Sequence, residues 1–292
     1  MSDKPVLLFV HGAWHPPKCY DAIKTALINL GYECIIPKLP SVGPESNGVT
    51  WEADKVKIIE TAEPFFNQGR EVVLIAHSYG GIPATAATQD QGAQERAERG
   101  LKGGFSSIIF LAAFAIPVKG WDLITTFGGA YPPWLEAGEK YTKNQITRMA
   151  EGARESVYSG CFKEAIDKAM ASTEPHSQDA FETSLDFIAS DITIPKTYII
   201  CENDQLILLP LQEKLVESTP GMKSARLAAE LNKLKQAIEE VEMAVMDHVS
   251  VDSILFTGGL PAFAQIVSIP ESAIAPMAAL QVHMEVKPIT YG

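Results

Sequence analysis

The sequence predicts an α/β protein: a mostly parallel, doubly wound sheet with a helical cap, in one domain over residues 1–292. Three observations carry this. Strand-like and helix-like segments alternate through the first 117 residues. Several strand segments are unbroken apolar runs, as strands buried on both faces read. The alternation then stops once, over residues 117–190, and resumes.

Val6 to Val10 is the first strand, apolar throughout. Asp21 to Leu30 is amphipathic at helical spacing and stops at Gly31; Tyr32 to Ile36 is a second strand, closed by Pro37 and Pro40. Trp51 to Phe66 reads as helix, Glu71 to Ala76 as strand, Gly80 to Gln89 as helix and Ser107 to Phe114 as strand. Residues 117–190 carry Gly128-Gly129, Pro132-Pro133 and short helical patterns without a clear strand, which predicts a helical cap over one end of the sheet. Lys196 to Cys201 restores the sheet, and Glu240 to Met246 is strand-like.

The 292 residues hold 24 Lys and Arg against 36 Asp and Glu, a net charge of −12. Such a chain repels phosphate backbones and anionic lipids, so nucleic acid and membrane surfaces are excluded as partners and a small molecule is expected. The apolar share of 46% excludes disorder. The longest apolar run, Ile108 to Val118, falls short of the roughly 20 residues a membrane helix needs. Val6 to Val10 is too short for a signal peptide's apolar region, and no Asn-x-Ser/Thr acceptor occurs. Cys19, Cys34, Cys161 and Cys201 form no Cys-x-x-Cys pair, so they read as buried free thiols in a cytoplasmic protein, with no metal site.

The chemistry concentrates in Val72-Val73-Leu74-Ile75-Ala76-His77-Ser78-Tyr79-Gly80-Gly81. A buried strand runs into a tight turn holding a serine, and a helix follows at once. This is a nucleophile elbow, Gly-x-Ser-x-Gly, with Ala76 in the first glycine's place. Small flanking residues are required because larger ones would strike the neighbouring strand and helix. Acyl transfer also needs two backbone N–H donors aimed at the developing oxyanion. One follows the nucleophile, at Tyr79; the other comes from the loop Phe9-Val10-His11-Gly12-Ala13-Trp14-His15, where Ala13 is selected.

His11 to His15, the Ala76-to-Gly81 elbow and Phe110-Leu111-Ala112-Ala113-Phe114 together resemble the α/β-hydrolase superfamily. Within it they resemble the branch of plant methyl-ester esterases and hydroxynitrile lyases, over residues 5 to about 117 and partly after 190. The resemblance implies the chain order Ser, then Asp or Glu, then His, and no cofactor. Asp204, in the exit loop of the Lys196-to-Cys201 strand, stands where the family places its acid; Glu202 is the rival. For the base, His11 and His15 lie in the oxyanion loop, His77 sits inside the elbow, His176 comes too early and His283 is nearly terminal, which leaves His248. Hydroxynitrile lyases of this branch carry a lysine after the catalytic histidine and a threonine after the first one. Val249 and Gly12 hold those places here, which favours the esterase pattern.

The expected activity is hydrolysis of a small-to-medium, mostly apolar ester, thioester or lactone on Ser78, Asp204 and His248. Trp14, Phe114, Trp121 and Trp134 are candidates for the pocket, with Phe127, Tyr131, Tyr158 and Phe162 also in the cap. The same triad could serve a lyase, a carbon–carbon hydrolase or a cyclase, and the fold could serve a small-molecule sensor.

The gap from Asp204 to His248 is long for this resemblance, and residues 223–239 read as a helical insertion that fills it. Leu227, Leu231, Leu234, Ile238, Val241 and Val245 repeat at steps of three and four. That seam either packs on its own domain or pairs two subunits as a homodimer. If the helix ran on to Met246, no strand would deliver His248.

Overall fold

A computed structural model describes residues 4–158, 161 and 163–227. Strand β1 (Val6–Val10), helix α1 (Asp21–Asn29), β2 (Glu33–Ile35), α2 (Trp51–Asn67), β3 (Glu71–Ser78), α3 (Gly81–Thr88), α4 (Ala93–Glu98) and β4 (Gly104–Ala113) follow one another. After the cap come β8 (Lys196–Cys201), α9 (Leu209–Glu217) and β9 (Met222–Leu227). These strands form one parallel sheet in the order β2-β1-β3-β4-β8-β9.

Period-two side-chain alternation divides the core between the two faces. Leu7, Phe9, Val73, Ile75, Ile109, Leu111 and Ile199 pack with Ile23 and Leu27 of α1. Val6, Leu8, Val72, Leu74, Ile108, Phe110 and Ile200 pack with Ile58, Ala62 and Phe66 of α2 and Leu215 of α9. Right-handed crossovers require this division: the chain steps from β1 to β2 in one direction and from β2 back past β1 to β3 in the other. The strand order therefore reverses between β1 and β3, and the crevice beyond their carboxyl ends is where such sheets bind ligands. The His11–His15 loop and the Ser78 turn leave the sheet there.

The helical excursion that the sequence suggests over residues 117–190 also contains strands. Beside α5 (Leu123–Thr126), α6 (Ala153–Val157), α7 (Lys163–Ser172) and α8 (Asp179–Glu182), these residues hold β5 (Leu135–Glu136), β6 (Ile146–Met149) and β7 (His176–Ser177). These three pair antiparallel in the order β5-β6-β7. Strands of two to four residues are too short to show a period of two in sequence.

The expected helix over 223–239 also needs correction at its start. Residues 222–227 are strand, paired in parallel with β8 from Lys196↔Met222 to Cys201↔Leu227. Among the described residues β9 pairs with β8 alone, and Met222–Leu227 mixes polar and apolar residues, so it lacks the unbroken apolar run that marks a strand in sequence. Leu227, the first residue of the heptad seam, thus has strand backbone; the rest of the seam, residues 228–239, Glu240–Met246 and His248 lie outside the described residues. Among the described residues no helix is long and apolar enough to cross a membrane.

Gly80 and Gly81 carry the closest packing near the elbow. A Cβ on Gly80 would stand 2.4 Å from the Val10 carbonyl oxygen, and one on Gly81 would stand 2.5 Å from that of Phe114. Both obstacles are backbone and cannot rotate away. Gly81→Ala should lower stability by about 1–3 kcal/mol through overpacking. An unchanged urea midpoint would contradict that packing account.

Candidate active site

Ser78 ends β3 and has φ 53°, a left-handed conformation that non-glycine residues adopt at a cost of roughly 1–3 kcal/mol. The β3–β4 register shifts between His77 and Ser78, and Phe114 N–H donates to the Ser78 carbonyl at 3.0 Å. On the far side, Gly80 N–H donates to His77 O at 2.8 Å. The turn is thus held from both flanks, with α3 starting at Gly81.

Trp14, in the β1 exit loop, is also left-handed, at φ 59°. Gly12 N–H donates to the Tyr20 hydroxyl at 3.0 Å, and that hydroxyl in turn meets His77 Nδ1 at 2.9 Å. Tyr20 therefore ties the loop before Ala13 to the residue before Ser78. With the Gly12 amide committed, the next one along is that of Ala13. Among the described residues neither the Ala13 nor the Tyr79 amide has a hydrogen-bond partner.

The cap fastens onto this same loop. Trp14 Nε1–H donates to Thr147 Oγ1 at 3.0 Å, and Glu174 N–H donates to Trp14 O at 2.8 Å. His15 has one ring nitrogen on Ala13 O (2.8 Å) and the other on the Tyr158 hydroxyl (2.7 Å).

Asp204 is buried in the turn after β8, where its Oδ1 accepts from Leu206 N–H (2.7 Å) and Ile207 N–H (2.9 Å). Ser78, Ala13, Trp14, His15, His77 and Asp204 line one cleft. A second, apolar cleft opens from Ser78 and is lined by Tyr79, Phe114, Phe127, Tyr131, Trp134 and Phe181 among others. Trp14 belongs to both. The structure thus brings Ser78, Asp204 and Ala13 together, and sets Trp14, Phe114 and Trp134 with Tyr79 beside them.

Trp121 is not among the residues lining either cleft. It sits in the turn before α5, where its backbone carbonyl accepts from Leu185 N–H (3.0 Å) and the residue is 37% exposed. Tyr158 is buried against His15, and Phe162 lies outside the described residues, as does His248.

A polar network under the elbow is absent from the sequence reading. Asp54 on α2 is fully buried; Oδ1 accepts from Ser41 N–H (2.9 Å) and Oδ2 from the Tyr79 hydroxyl (2.6 Å). His176 has its Nε2 on Ser41 Oγ (3.2 Å) and its Nδ1 on Ser177 O (2.9 Å), and stacks on Phe181 with ring centroids 4.4 Å apart. His11 accepts from Leu39 N–H at Nε2 and has Nδ1 on Gly12 O. One signal was available for Asp54: it falls in phase with Ile58, Ala62 and Phe66 on the buried stripe of α2.

Burial holds the His11 and His176 imidazoles neutral, lowering them to about 4 and about 3 from 6.5, and pushes Asp54 up from 3.8 to about 6. The signs differ. Each histidine binds its proton more readily unfolded, so its contribution is full above pH 6.5 and is lost as pH falls. Asp54 binds its proton more readily folded, so between pH 6 and 3.8 it offsets one histidine. Net loss of stability below pH 6 should then approach one proton, about 1.4 kcal/mol per pH unit. His176→Asn should flatten that slope in urea titrations at pH 6 and pH 4.5; an unchanged slope would contradict the assignment.

The arrangement can support acyl transfer: a serine in a strained turn, two backbone amides, a buried carboxylate and an apolar cleft. The chain is 27% identical over 219 residues to an alpha/beta hydrolase, nvfD, of Aspergillus novofumigatus, covering 75% of this chain and 85% of that one. It is 31% identical over 137 residues to a carbendazim hydrolyzing esterase of Nocardioides sp., covering 44% of this chain and 50% of that one. The crystal structure of polyneuridine aldehyde esterase has the same fold, with a TM-score of 0.64 at 19% identity, covering 84% of this chain and 99% of that one. The model of the alpha/beta hydrolase family matches residues 7–253, and the chain is an enzyme belonging to that family.

Proposed function

We propose that the protein is a serine hydrolase that cleaves small-to-medium, mostly apolar esters, thioesters or lactones, with Ser78 as nucleophile, His248 as base and Asp204 as acid. The observation that carries the reading is the left-handed Ser78 at φ 53°, between β3 and α3, on a cleft it shares with Asp204. Supporting His248, the ring nitrogens of His11, His15 and His176 are all hydrogen-bonded to structural partners.

In this reading His248 takes the Ser78 proton as Oγ attacks the carbonyl carbon. The tetrahedral oxyanion accepts from the Ala13 and Tyr79 amides, each worth roughly 3 kcal/mol. The imidazolium returns the proton to the leaving alcohol, thiol or lactone oxygen, with Asp204 holding the ring's tautomer. Water, deprotonated by His248, then releases the acid. The apolar arm of the substrate occupies the cleft of Phe114, Phe127, Trp134 and Phe181, where burial contributes about 25 cal/mol per Å2. Steady-state turnover of p-nitrophenyl butyrate and p-nitrophenyl benzoate tests the reading. Saturable release of p-nitrophenol supports it; binding of both esters without release points to a sensor and overturns it.

A further inference from the structure

We propose that Asp54 is a positioning residue of the oxyanion hole, holding the Tyr79 amide in place through the Tyr79 hydroxyl. The proposal rests on the reading of Tyr79 as an oxyanion donor. Asp54 lies on α2, outside both clefts, and touches no reacting atom.

The geometry leaves Tyr79 little freedom. Its hydroxyl donates to Asp54 Oδ2 at 2.6 Å, a short bond of the kind a carboxylate acceptor makes. Its ring meets His176 edge to face at 4.5 Å and Phe181 at 5.6 Å. Asp54 Oδ1 is meanwhile fixed by Ser41 N–H, and Ser41 lies in the loop whose carbonyl accepts from Ser177 N–H of β7 (2.9 Å). The carboxylate therefore joins three pieces, α2, the Ser41 loop and the elbow, at the residue directly after the nucleophile.

Stability alone is a poor reason for this arrangement. A fully buried carboxylate carries a desolvation penalty that an apolar pair of similar volume avoids. What the bond adds is direction. Tyr79 sits in the strained turn, and swinging its peptide plane would swing its phenol away from Asp54. An oxyanion donor acts only when aimed where charge develops, so a fixed plane favours the transition state over the bound ester.

The test uses the full-length protein, with p-nitrophenyl butyrate as substrate and an alkyl trifluoromethyl ketone as an oxyanion-forming inhibitor. Tyr79→Phe keeps the ring and the backbone amide and removes only the anchor. It should lower kcat about tenfold or more, short of the 10²–10³-fold of losing a donor outright, with KM unchanged. The ketone's Ki should rise by the same factor. Asp54→Asn should do likewise, and the double variant should be no worse than the worse single one. Should Asp54→Asn not fold, Tyr79→Phe carries the test alone. Wild-type kcat and Ki in Tyr79→Phe, with only a lowered melting temperature, would overturn the anchor and leave a purely structural bond. Wild-type protein that neither turns over the ester nor binds the ketone would instead overturn the hydrolase reading beneath it.

Discussion

Ser78→Ala is expected to lose ester turnover by about five to six orders of magnitude, with folding intact, because Ser78 is the proposed nucleophile and without that group the other members of a triad do nothing. Alanine tolerates the left-handed turn about as well as serine, since both carry a Cβ and the strain belongs to φ 53°. The neighbours that fix the turn, Phe114 N–H on Ser78 O and Gly80 N–H on His77 O, are backbone and survive the change. Turnover of p-nitrophenyl butyrate and the melting temperature, measured together, check this. Activity within tenfold of wild type in a folded variant would move the nucleophile elsewhere.

The second large effect falls on the partners proposed for Ser78. Asp204→Asn should lower kcat about 10⁴-fold, the scale of a catalytic histidine left in the wrong tautomer. The fold should persist, since an asparagine Oδ1 can still accept from Leu206 and Ile207 N–H. His248→Ala should approach the loss of Ser78→Ala. In the wild type, activity should fall toward acid pH, because only the neutral imidazole accepts the serine proton. Near-wild-type activity in either variant, each assayed across pH 5 to 8, would contradict the assignment.

The strands that position the site were legible because they are buried on both faces. Val6–Val10 and Val72–Ala76 read as continuous apolar runs, and the turn after the second demands small residues at 80 and 81. The contacts of those glycines give the physical reason, a neighbouring carbonyl oxygen within 2.5 Å of where each Cβ would stand. The cap was less legible: its strands are two to four residues long, and they depend on partners distant in sequence, such as Ser41 for Ser177. β9 reads in sequence as the start of a helix because Met222–Leu227 mixes polar and apolar residues next to a seam of leucines. Asp54 was missed for a different reason. An acidic residue in the first turn of a helix ordinarily complements the helix dipole in water, and nothing local reveals that Tyr79 reaches it from 25 residues away.

Reaction with a fluorophosphonate probe tests the central claim most directly, because the probe phosphonylates only an activated serine and records which one. After labelling of the full-length protein, intact mass should show a single adduct, and peptide mapping should place it on Ser78. Labelling should vanish in Ser78→Ala and slow strongly in Asp204→Asn. An adduct on another residue, or labelling that persists in Ser78→Ala, would contradict the account.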